Sequence, residues 1–172
     1  MEGDRLHGGR RPGVSRALLG TYALLWSATV IAAGASAAGL RLGAPTSAPH
    51  DALAPTVATA WSLLSHNAVV ALWPLALVAL GWPQIPAVRR AGDALVMAQL
   101  ASHGATVGLA LGAQPGLWRF LPHLPAEWVG IAAPAAAWFL ARRGLAASRA
   151  LAGVSLSALL VAAALETWAV PL

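Results

Sequence analysis

The sequence predicts an all-α protein, a polytopic transmembrane helix bundle of about five spans with its N-terminus inside. Three observations carry that expectation. Of 172 residues, 58% are hydrophobic and only 10% are charged. A soluble domain carries about a quarter of its residues as charges, so most of this surface is not built to face water. The apolar residues gather in five runs close to the roughly 20 residues a helix needs to cross the hydrocarbon. The basic residues, all arginine, fall in hydrophilic gaps that alternate between rich and poor.

Met1 to Arg16 reads as a basic cytoplasmic tail, with Gly8, Gly9, Pro12 and Gly13 opposing regular structure. Residues 17–172 then form a single transmembrane domain. Its first span is expected at 17–40. The basic start, apolar middle and Ala35-Ser36-Ala37 also fit a cleaved signal peptide, but the run is longer than a usual signal core and further spans follow it. A Pro/Gly/Ser/His loop containing Asp51 covers 41–55. The second span is expected at 56–82 with a kink at Pro74, then a turn with Arg89 and Arg90, and the third span at 92–111. After a loop, the fourth span is short, 126–141, and interrupted by Pro134. A basic turn with Arg142, Arg143 and Arg149 precedes the fifth, 150–170.

Arginine placement sets the expected orientation. With the N-terminus inside, the inner segments hold Arg5, Arg10, Arg11, Arg16, Arg89, Arg90, Arg142, Arg143 and Arg149, and the outer ones only Arg41 and Arg119. Such an excess marks the cytoplasmic side. Because the arginines punctuate apolar runs and form no continuous basic face, the high isoelectric point points to membrane topology and not to nucleic acid. Cysteine is absent, which excludes disulfides, thiolate nucleophiles and cysteine-ligated metals. Trp82, Trp118, Trp128 and Trp168 fall near span ends, where indoles favour the headgroup level. Trp26, Trp61, Trp73 and Trp138 are expected to pack internally.

Polar groups within spans are the candidate functional residues, because their transfer into hydrocarbon is costly unless they are satisfied. On the third span Gln99, Ser102, His103 and Thr106 fall at i, i+3, i+4 and i+7, on one helical face. The second carries Thr59, Ser62, Ser65 and His66, with Asn67 alongside. His123 and Glu127 stand four apart at the start of the fourth, and Glu166 near the outer end of the fifth. His66, Asn67, Gln99, His103, His123, Glu127 and Glu166 are expected to share a polar cluster in the central-to-outer zone. His66, Asn67 and His103 also have a structural reading as hydrogen-bonded glue between helices, His123 as a loop residue in water, and Glu166 as a side chain that snorkels to the headgroups. Glu127 in a first helical turn suits the helix dipole in any case. His103, His123 and Glu127 are candidate metal ligands, although the spacing matches no metalloprotease motif. No catalytic residue is assigned, since no Walker A loop, dinucleotide fingerprint or nucleophile elbow occurs.

These motifs carry a family resemblance. Leu121-Pro122-His123-Leu124-Pro125-Ala126-Glu127 resembles the Pro-His-Gly-x-x-Glu signature of the stage II sporulation protein M family, with Leu124 where the signature has glycine. The run that ends in Glu166, near Pro171, resembles that family's closing span. Ser65-His66-Asn67-Ala68 stands in the place of an Asn-rich motif, and His103-Gly104 with Gly108 resembles Asn-Gly-x-x-x-Gly, with His for Asn. The resemblance covers 65–172 in family order. It implies an integral membrane protein of the bacterial cell envelope, in the cytoplasmic membrane, that scaffolds or recruits envelope proteins, as the namesake does beside cell-wall-remodelling enzymes during sporulation. The reading therefore points away from an enzyme and names no cofactor. Its partners are the lipid bilayer and other envelope or membrane proteins, without nucleic acid, and a homo-oligomer fits equally. The alternative is a permease or permease subunit, because a polar face next to Pro-interrupted helices is what transporters use near the midplane.

Overall fold

A computed structural model describes residues 12–39 and 55–169. The expected tail as far as residue 11, the loop at 41–54 with Asp51, and Pro171 lie outside the described residues. Among the described residues the chain forms five helices and no strand: α1 (Pro12–Ala37), α2 (Val57–Ala79), α3 (Pro86–Ala113), α4 (Leu124–Ala141) and α5 (Ser148–Trp168). Short 3-10 turns at Trp82–Gln84 and Pro115–Phe120 join α2 to α3 and α3 to α4. Each of the five helices is long and apolar enough to cross a membrane. Residues such as Val57 and Val69, both 77% exposed, and Ile31, 70% exposed, leave wide apolar surface that suits lipid and not water. The chain is a multi-pass membrane protein.

Helix limits differ from the expected ones for local reasons. α1 begins at Pro12 and α3 at Pro86, so Arg16 and Arg89–Arg90 are helical and not part of a tail or turn. Proline suits a first helical position, where its missing N–H has no partner to lose. α2 ends at Ala79 because Gly81 takes a left-handed φ of 74° and turns the chain. The fourth helix runs from Leu124 through Pro134 to Ala141 without a break.

The core sits on α4, which packs against α1, α2 and α5, while α3 lies mainly along α1. Trp128, Ile131, Ala132, Ala135 and Trp138 of α4 meet Leu25 of α1, Ala71 of α2, Val96 and Leu100 of α3, and Leu159 of α5. A helix apolar on every side belongs in the middle of a membrane bundle. Two expectations about tryptophan are therefore corrected. Trp128 is buried at 1% exposure, since its side of α4 faces the bundle while Pro125 in the same turn is exposed, and it meets Trp26 edge-on with centroids 4.5 Å apart. Trp61 is 68% exposed on the open side of α2.

Small residues hold α1 against α3. A Cβ at Gly104 would stand 2.6 Å from the Leu25 carbonyl oxygen, and one at Gly108 or Gly112 would collide with the carbonyl of Thr29 or Ala33. Backbones that close leave no room for a methyl group. The Thr29 hydroxyl, 2.9 Å from the Gly104 carbonyl, and the Ser36 hydroxyl, 3.0 Å from that of Leu109, donate across the contact.

The prolines inside helices have partners of their own. Pro74 cannot donate to the carbonyl of Val70, four residues earlier, and Pro134 cannot donate to that of Gly130. The Gln99 Nε2 of α3 donates to the Val70 carbonyl at 2.7 Å, and the buried Ser155 hydroxyl of α5 donates to the Gly130 carbonyl at 2.6 Å. In both cases a neighbouring helix satisfies the oxygen that proline frees, which is how transmembrane helices tolerate it.

Candidate functional site

The polar residues of three helices meet in one cavity. α2 packs on α4 and α5 and barely on α3, so a gap remains between α2 and α3 beyond the Gln99–Val70 contact. Gln99 and Val70 mark its lower edge. One turn further along each helix stand His103 of α3 and His66 of α2, and α4 closes the back with Glu127 and Ile131. The resulting cavity, about 250 Å³, is lined by His66, Asn67, Val70, His103, Glu127 and Ile131. His66 is exposed, Asn67, His103 and Glu127 are half-buried, and Ile131 is buried, so the cavity opens on the α2 side and its back wall joins a carboxylate to an apolar side chain.

His123 and Glu166 adjoin the cavity without lining it. The His123 Nε2 lies 3.9 Å from a Glu127 carboxylate oxygen, too long for a hydrogen bond. Glu166, in the last turn of α5, is close enough for its charge to act on both His123 and Glu127. His123 is 7% exposed, and burial pushes its imidazole pKa below the ordinary value while the Glu166 charge works against that. Its Nδ1 is buried without a hydrogen-bond partner among the described residues.

Four of the seven expected cluster residues thus line one cavity, His66, Asn67, His103 and Glu127, and two flank it. Gln99 does not line the cavity: its Nε2 donates to the Val70 carbonyl at the edge, and its Oε1 is buried without a hydrogen-bond partner among the described residues. The polar stripes on α2 and α3 do not converge as whole faces. Ser65 donates to the Ser62 carbonyl and Ser102 to the Gln99 carbonyl, each within its own helix, the usual fate of a helical hydroxyl. Among the described residues no three histidine or carboxylate side chains are grouped closely enough to hold a metal ion, and this covers His103, His123 and Glu127.

A second polar node lies outside the expected cluster. At the arginine-rich end, the Trp138 indole N–H donates to Asp93 Oδ1 at 2.9 Å and Arg142 Nη1 meets Asp93 Oδ2 at 2.9 Å. Gly92 makes room for it, since a Cβ there would collide with the Trp138 ring. The available signal was Asp93 itself, a carboxylate set closely after two arginines in a chain with six acidic residues.

No family model matches the chain, and no curated protein or solved structure matches it.

Proposed function

We propose that this chain is a permease subunit that binds a small polar solute between α2, α3 and α4. One observation carries the reading: His66, Asn67, His103 and Glu127, contributed by three helices, face a common cavity of about 250 Å³. Two imidazoles, an amide and a carboxylate offer both donors and acceptors, which suits a solute with several hydrogen-bonding groups or a cationic one. Packing alone does not call for such a cavity, because apolar side chains would fill the same space without the cost of desolvating a carboxylate. The gap between α2 and α3 supplies an access route, and Pro74, one helical turn beyond the lining residue Val70, is the sort of helix interruption that transport proteins place beside a binding site.

The cell-envelope scaffold is the second reading. It is supported by the motifs that resemble the stage II sporulation protein M family, since His66-Asn67, His103, His123, Glu127 and Glu166 come from separate stretches of sequence and gather in one region of the bundle. In this reading the protein sits in a bacterial cytoplasmic membrane with its arginine-rich turns inside.

One pair of variants separates the two. Thermal-shift screening of the purified chain against small polar and cationic solutes, followed by uptake into proteoliposomes, is expected to give a stabilising solute. Its binding and uptake should fall at least tenfold in Glu127→Gln and in His103→Ala. Binding that both variants retain would remove the permease reading. Capture of a specific envelope partner, with the cavity variants leaving that capture intact and no solute bound, would favour the scaffold.

A further inference from the structure

A separate groove opens at the opposite, arginine-rich end, where α1 begins and α4 ends. It encloses about 420 Å³ between α1, α3 and α4, within the range of roughly 300–1,000 Å³ usual for small-molecule sites. Arg16 of α1 and Arg143, just past α4, stand at its mouth. Neither has a carboxylate partner among the described residues, because the nearby Asp93 is taken by Arg142. Two guanidiniums from different parts of the chain therefore share one opening with no neutralising carboxylate among the described residues.

The interior has a different character. From Arg16 to Leu24 the α1 wall descends about 12 Å at 1.5 Å per residue, and Met97 of α3 and Phe139 of α4 form the facing walls. Small residues create the space. Gly13, Ala17 and Gly20 follow one another on this side of α1, and a Cβ at Gly20 would meet nothing within 4 Å. The contrast with Gly104, Gly108 and Gly112 is direct: those glycines are filled by a neighbouring helix, and Gly20 is not.

We propose that this groove binds an anionic phospholipid, with its phosphodiester between Arg16 and Arg143 and one acyl chain along Leu24, Met97 and Phe139. Arginine forks fit phosphate oxygens, and basic recesses between transmembrane helices select anionic headgroups. The depth of apolar wall below the arginines assigns the phosphate to a lipid and not to a free ion, which would need no such wall. Occupancy would also tie α1, α3 and α4 together at an end where Arg142 and Asp93 already link α3 to α4.

The test is native mass spectrometry of the full chain released from nanodiscs made of equal phosphatidylglycerol and phosphatidylcholine. One phosphatidylglycerol is expected to remain bound in preference to phosphatidylcholine. Retention should fall at least fivefold in the Arg16→Gln/Arg143→Gln double variant. Gly20→Leu should lower it to a similar degree, since it fills the groove and leaves both charges in place, so a folding failure in one variant leaves the other to decide. The Arg90→Gln/Arg149→Gln variant loses the same charge outside the groove and should retain the lipid. Equal retention of the two lipids, equal loss in this control, or retention unchanged in both groove variants would overturn the proposal. So would displacement of the lipid by soluble glycerol 3-phosphate at millimolar concentration, which would identify a free-phosphate site.

Discussion

Val70 and Gly130 each present a backbone oxygen that proline four residues later cannot serve, and each receives a side-chain donor from another helix. This pairing makes Gln99 and Ser155 structural. It also makes their cost conditional. Replacing Gln99 by Leu should destabilise the bundle by about 1 kcal/mol, the scale of an interhelical hydrogen bond in a membrane and of a buried polar group left alone. In a Pro74→Ala background the backbone N–H restored at that position returns to the Val70 carbonyl, and Gln99→Leu should then cost little. Equilibrium unfolding in bicelles of the two single variants and the double variant measures the coupling; simple additivity would refute the account. The sequence showed that Gln99 was polar and within a span, but not which group it would meet. That depends on α2 approaching α3 at Val70, one turn before Pro74, and that relation is not local. The role of Asp93 is hidden in the sequence for a related reason. It sits near the start of α3 beside arginines, where a carboxylate draws no attention until Trp138 and Arg142 arrive from the end of α4.

At the scale of elements, the contact of α1 with α3 rests on glycines that single-sequence reading could not distinguish from the background. Gly104, Gly108 and Gly112 fall four apart, yet the chain has 17 glycines among many alanines, so small residues at that spacing recur by composition alone. The structure separates them by what lies opposite. Gly108→Leu has to displace the backbone of α1 at Thr29 and is expected to cost about 1–3 kcal/mol or more, as overpacking does, seen as early unfolding or loss of monodisperse protein. Gly34→Leu, where nothing stands within 4 Å, should be neutral or gain a few tenths of a kcal/mol from helix propensity. Equal behaviour of the two variants would mean that α1 and α3 do not meet in this register. Helix existence was far more legible than helix contact. A run of about 20 apolar residues must be helical in lipid, because every backbone group has to be satisfied within its own segment, whereas partner choice depends on shape. The enclosure of Trp128 is an example. Its position near a span end suggests an interfacial indole, but its ring turns into the bundle against Trp26.

For the whole molecule, the five helices fix which loops share an end. α4 runs between Gln114, at the close of α3, and Ala147, at the start of α5, so these positions lie on opposite sides of the membrane if the fourth helix crosses it. Which side is which comes from charge and not from packing: a helix bundle turned upside down has the same internal contacts. Arg89, Arg90, Arg142, Arg143 and Arg149 gather at one end, with Arg119 at the other. Asp93 neutralises Arg142 locally, but acidic residues weigh little in orientation beside arginine, so the arginine-rich end is expected inside. The chain has no cysteine, which makes a single introduced thiol a clean reporter. A cysteine at Gln114 should react with a membrane-impermeant maleimide in intact cells, and so should one at Ser47, outside the described residues. A cysteine at Ala147 should react only after permeabilisation. The His66–Glu127 cavity would then face outward and the Arg16–Arg143 groove inward, so solute and lipid would be met on opposite sides. Labelling of Ala147→Cys from outside, with Gln114→Cys protected, would reverse the molecule and both sites with it. Labelling of both positions from outside would show that α4 does not cross, a result that its burial at the centre of the bundle argues against.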